Sequence, residues 1–110
     1  MEYLDLSDNK VLSLPAVSLS RLPNLKRLKI DYNRIGALSY DILKSVQGLE
    51  ELSLAYNIIR EIPVGTFKEL KSLKILNLFG NKIAEVSTET FMGIENSLEY
   101  MDLGFNIISE

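Results

Sequence analysis

The chain has 110 residues, 46% of them apolar and 25% charged, and a formal net charge of −3 at pH 7. That length fits one domain, and that balance is ordinary for a globular chain rather than a disordered one. No run reaches the ~18 consecutive apolar residues of a membrane span, and the lack of His and Cys removes most nucleophile–base and metal arrangements.

The chain opens inside a pattern that then recurs to its end. Met1, Leu4, Leu6, Asn9 and Val11 spell the first copy of Leu-x-x-Leu-x-Leu-x-x-Asn-x-Leu. Leu4 and Leu6 alternate with polar residues, as in a half-buried strand. Asn9 follows where the chain turns inward and sheet pairing stops. A side chain with both a carbonyl and an NH₂ can satisfy the backbone groups left over there. Val11, Leu14, Leu19 and Leu22 then fill the core from the far side, and Pro15 marks extended or turn backbone.

The second copy starts at Leu25, with Leu28, Ile30 and Asn33, and returns through Ile35, Leu38, Leu43 and Val46. Tyr40–Val46 has the best helical spacing of any return segment, and a short helical or 3₁₀ piece is expected there. The third copy starts at Leu49, with Leu52, Leu54 and Asn57, then Ile59, Ile62, Phe67 and Leu70; Pro63 matches Pro15. The fourth starts at Leu73, with Leu76, Leu78 and Asn81, then Ile83, Val86, Phe91 and Ile94. It carries one extra residue near Glu95-Asn96. The fifth starts at Leu98, with Met101, Leu103 and Asn106, and stops at Ser109-Glu110 before its return.

The steps between copies are therefore 24, 24, 24 and 25 residues. A fixed period of this size signals a solenoid, because no single unit can bury its apolar face alone. About five parallel strands, near 4.8 Å apart, are expected in one curved sheet. Leu4, Leu28, Leu52, Leu76 and Met101 form one buried column. Leu6, Ile30, Leu54, Leu78 and Leu103 form the next. Asn9, Asn33, Asn57, Asn81 and Asn106 form a structural ladder. The units run 1–24, 25–48, 49–72 and 73–97, with a partial unit at 98–110, all within one domain of residues 1–110.

These residues resemble the leucine-rich repeat family, and the match covers the whole chain. The spacing, the asparagine and the late Phe67 and Phe91 are similar to the 24-residue class found in Toll-like receptors, small proteoglycans, Slit-like proteins and chaoptin-like adhesion proteins. Leu19 and Leu43 depart from the Phe of that class. The resemblance implies an α/β right-handed horseshoe solenoid with a parallel concave sheet and short irregular or 3₁₀ convex segments. It also implies adhesion or receptor function at the cell surface or in secreted form. An intracellular scaffold built on the same repeat is the alternative.

No cysteine is present, which taken alone favours the cytosol; the resemblance places cysteines of extracellular members in terminal caps instead. Both ends read as interior repeats, so an internal piece of a longer array or a truncated gene model is expected. No signal peptide or membrane-inserting segment is expected within it. Uncapped apolar flanks predict end-to-end self-association of the chain alone.

Partner-binding candidates lie at outward strand positions. Tyr32, Tyr56, Phe79 and Phe105 make an aromatic edge, with Phe79 the most open because it replaces a small residue. Ile75 and Tyr100 form a second apolar spot. Aromatic side chains concentrate at interaction hot spots. Arg27 and Lys29 are the charged candidates, with lateral pairs Arg27–Glu51 and Lys29–Asp5 expected at under about 1 kcal/mol each. Ser53 is read as solvent-facing. Gly80 and Gly104 are read as tight-turn residues.

A protein partner is expected on the concave face or its lateral edge. Basic residues are scattered apart from Lys26, Arg27, Lys29 and Arg34, which acidic strands flank, and nucleic acid is excluded on that ground. The carboxylates Asp5, Asp8, Asp31, Glu50, Glu51 and Asp102 read as solvated surface rather than a catalytic pair or a calcium site. No enzyme activity, metal or cofactor is assigned.

Overall fold

The computed structural model describes residues 2–108; Met1, Ser109 and Glu110, which open the first repeat and close the last, lie outside the described residues. Five three-residue strands form one parallel sheet in sequence order: β1 (Tyr3–Asp5), β2 (Arg27–Lys29), β3 (Glu51–Ser53), β4 (Ile75–Asn77) and β5 (Tyr100–Asp102). The register pairs Leu4 with Leu28, Leu28 with Leu52, Leu52 with Leu76 and Leu76 with Met101. The expected first column is therefore the middle residue of every strand.

The two inner columns are fully buried at Leu28, Leu52, Leu76, Ile30, Leu54 and Leu78. Burial fades in the edge strands. Leu4 and Leu6 are half-buried, and Met101 is 37% exposed rather than buried as its column predicts. A parallel strand covers its neighbour's side chains, and β5 has a neighbour on one side only.

On the convex side the chain returns through short pieces. Helix α1 (Ala16–Ser20) begins straight after Pro15 and buries Leu19. Proline has its φ set for a helix start. Helix α2 (Tyr40–Leu43) runs into a 3₁₀ turn at Lys44–Val46, where helical spacing was expected, and buries Leu43 and Val46. The third and fourth returns hold only turns. Phe67 is fully buried and stacks on Phe91 with ring centres 6.2 Å apart. Val86, expected in the core, is 36% exposed.

The asparagine ladder satisfies the turns, and it does so by reaching backwards. The Asn57 carbonyl accepts the N–H of Ile35 at 3.0 Å, and its NH₂ donates to the carbonyls of Ile30 (2.9 Å) and Leu54 (3.1 Å). Asn33, Asn81 and Asn106 repeat the arrangement in their own units. Asn9 donates only to Leu6 and Ser7 of its own turn and is exposed. Asn57→Ala should therefore cost about 1–3 kcal/mol, because buried backbone groups lose their partner. Asn9→Ala should cost under about 1 kcal/mol. Urea midpoints of the two variants check this, and equal losses would contradict the reach-back geometry.

Candidate functional site

Each strand ends in a turn, and that turn fixes what the sheet edge presents. The N–H two residues past the strand centre's successor needs an acceptor in every repeat. Asp5, Asn77 and Asp102 supply it to Ser7, Phe79 and Gly104 at 2.9, 3.0 and 2.8 Å. Lys29 cannot accept, so the Ser7 hydroxyl takes the Asp31 N–H at 3.0 Å. Ser53 does not accept either; Asp31 takes the Ala55 N–H at 2.9 Å and the Ser53 hydroxyl at 2.6 Å. Ser53 is thereby covered to 4% exposure, against the expectation of an open position. Hydrogen bonds from Ser7, through its hydroxyl and its N–H, hold the Asp5 carboxyl below its usual range.

The residue before each ladder asparagine then takes a left-handed backbone. Asp8, Tyr32, Tyr56 and Phe105 have φ of 64°, 55°, 57° and 53°. An L residue costs roughly 1–2 kcal/mol in that region, and the usual occupant is glycine. Only the fourth repeat uses one, Gly80, at φ 74°. Its aromatic residue, Phe79, stands one position earlier. A Cβ on Gly80 would lie 2.8 Å from the Tyr56 ring, and one on Gly104 would lie 3.0 Å from the Phe79 ring. Gly104 thus makes room for a ring; unlike Gly80, it has no left-handed turn to serve.

The result is a continuous row. Tyr32 stacks on Tyr56 at 4.6 Å, Tyr56 meets Phe79 edge-on at 5.4 Å, and Phe79 stacks on Phe105 at 5.6 Å. Tyr32, Tyr56 and Phe105 are 55%, 39% and 79% exposed. Phe79 is half-buried between its neighbours, not the most open as expected. The four rings that the sequence grouped are together; the left-handed backbone of three of them is that of the turn before every ladder asparagine.

The other candidates sit apart from this row. Ile75 and Tyr100 are register partners on β4 and β5. Arg27 does not meet Glu51; its guanidinium lies 4.9 Å over the Tyr3 ring. Lys29 approaches Asp31 at 4.0 Å rather than Asp5, and Lys26 pairs with Glu50 at 3.5 Å. A hollow of about 210 Å³ among the described residues is lined by Glu61, Ile62, Glu85 and Thr90. The Thr90 hydroxyl there already accepts the Ser87 N–H at 2.8 Å.

The family model for Leucine rich repeat matches residues 1–57 and 47–108. The chain belongs to the leucine-rich repeat family. No curated protein matches it. Among solved structures, the crystal structure of a TLR13–ssRNA13 complex is similar over 100% of this chain, at 32% identity and a TM-score of 0.93. This leucine-rich repeat chain spans 15% of the TLR13 chain. The open five-strand sheet and solenoid agree with that neighbour, and the resemblance to Toll-like receptor repeats holds.

The exclusion of nucleic acid does not stand. A structure with this fold throughout the matched region was solved with single-stranded RNA. The exclusion rested on scattered basic residues and on one cluster flanked by acidic strands, a reading confined to the strand rows. The open face carries Glu2, Asp5, Glu50, Glu51, Glu99 and Asp102 together with Lys26, Arg27, Lys29 and Lys74. On the far flank of the asparagine ladder, the three residues after each Asn include Lys10, Arg34, Arg60 and Lys82 and no carboxylate. That flank was missed in the sequence, although reading one column past the asparagines exposes it.

Proposed function

We propose that this chain is a non-catalytic recognition segment of a receptor-type leucine-rich repeat protein, meeting a macromolecular ligand outside the cell or in a vesicle lumen. One observation carries the reading: four aromatic side chains in one unbroken row, three of them, Tyr32, Tyr56 and Phe105, held exposed on left-handed backbone and joined through Phe79. Strain of this kind persists where function uses it. Large, rigid aromatic surface is what hot spots employ. The Ile75–Tyr100 spot extends the contact area onto the open face, and a protein surface is the first ligand class. No helix among the described residues is long and apolar enough to cross a membrane.

Tyr56→Gly tests this. Glycine adopts a positive φ freely, so relief of strain should offset the lost ring stacking, worth about 0.5–1.5 kcal/mol. Folding stability should stay within about 1 kcal/mol. Binding should fall by about 2 kcal/mol if the row is a hot spot. The measurement is a melt of the variant beside its binding to an array of secreted and cell-surface proteins and to single-stranded RNA. A variant that binds every ligand as the parent does would overturn the reading.

A second ligand class has its own support. TLR13 was solved with single-stranded RNA, and aromatic rows beside cations are a common support for single-stranded nucleic acid.

A further inference from the structure

We infer that the edge past the asparagine ladder is a track for single-stranded nucleic acid, with the phosphates along Lys10, Arg34, Arg60 and Lys82 and the bases against the aromatic row. This rests on the second ligand class above and places it on the lateral edge, away from the open face, where Lys26 and Lys29 already meet Glu50 and Asp31.

The track follows from alternation about a buried asparagine. Tyr32 is exposed, Asn33 buried and Arg34 exposed; Tyr56, Asn57 and Ile58 repeat the pattern. Asn33 and Asn57 therefore separate a ring on one side from a strip residue on the other, while Asp8 and Gly80 hold the ring's place beside Lys10 and Lys82. The strip is held in register by a second backbone ladder. Arg34 donates its N–H to Val11 at 2.8 Å, Ile58 to Ile35 at 3.0 Å and Lys82 to Ile59 at 2.9 Å. In the third repeat the cation is displaced to Arg60, on the same exposed side, with Ile59 buried between. All four cations are exposed. Among the described residues the ion pairs are Lys26–Glu50, Lys29–Asp31 and Lys44–Asp41, and none draws on this strip.

A row of unpaired cations attracts any polyanion. The parallel row of rings narrows the class. An acidic peptide offers nothing that needs aromatic surface, whereas an unpaired nucleic acid strand has a base for every phosphate. A duplex hides its bases and leaves the rings unused. Because Tyr32 and Tyr56 spend their faces on each other, the bases lie along the row rather than between its rings.

The test is fluorescence anisotropy of the whole chain with labelled oligouridylate over a salt series. The parent should bind at low salt, with a log–log salt slope of about −3, four contacts at ~0.7 each for a single strand. Arg34→Glu with Lys82→Glu should weaken binding by more than about tenfold and roughly halve the slope, with an unchanged circular dichroism spectrum. Lys74→Glu, on the open face, should change it less than about threefold. No binding by the parent, or equal loss from Lys74→Glu, would overturn the track. So would a duplex of equal length binding as well, or poly-glutamate competing as effectively as RNA. RNA that binds the parent and survives the strip reversal leaves the receptor reading standing and overturns this one alone.

Discussion

Gly93→Ala should unfold this chain more readily than any surface change of its size, with a loss of about 3 kcal/mol or more. Gly93 has φ 100°, where an alanine is strained. A Cβ there would also drive into the backbone of Lys68, whose carbonyl oxygen lies 2.6 Å from its ideal position. Main chain cannot swing aside as a side chain can, so overpacking adds about 1–3 kcal/mol to the conformational cost. Gly48 is the matched control. It meets nothing within 4 Å and has no positive φ, so Gly48→Ala should be neutral or stabilising by up to about 1 kcal/mol. Urea titrations of both variants decide. Similar midpoints would mean that the third and fourth convex returns do not touch at Gly93.

Leu76→Ala should cost about 2–5 kcal/mol. Leu76 is fully buried at the centre of β4, between Leu52 and Met101 in register. Removing its side chain opens a cavity bounded by strands on both sides, which cannot collapse without breaking pairing. Met101 stands in the same column but is 37% exposed. Met101→Ala should cost less than half as much, since much of that side chain already meets water. Equal losses from the two would show that column membership, rather than burial, sets the energy.

Period alone made the sheet legible. A side chain repeated every 24 residues must fall on the same face of successive strands, which placed Leu28, Leu52 and Leu76 before any packing was known. Asn33, Asn57 and Asn81 were legible for the same reason, and because an amide in a turn has few other uses. Helix α1 was missed although Pro15 announced it, since five residues give too short a run for helical spacing to emerge. Ser53 was misjudged because its cover comes from Asp31, a residue of another repeat, whose carboxylate takes both the Ser53 hydroxyl and the Ala55 N–H. Phe79 was misjudged through a one-residue offset: Gly80 takes the left-handed place, and Phe79 is left to wedge between Tyr56 and Phe105. The aromatic row itself could be listed from the sequence. Its stacking and its strain could not, since both are properties of the backbone.

The ladder's backward reach has a consequence for synthesis. Asn33 completes the turn at Asn9 and Val11, Asn57 the turn at Ile35, Asn81 the turn at Ile59 and Asn106 the turn at Ile83. As the chain leaves the ribosome, each unit stays open until the asparagine of its successor has emerged, some two dozen residues later. The nascent protein therefore always carries one unfinished turn at its growing end, and that turn moves forward with translation instead of accumulating behind it.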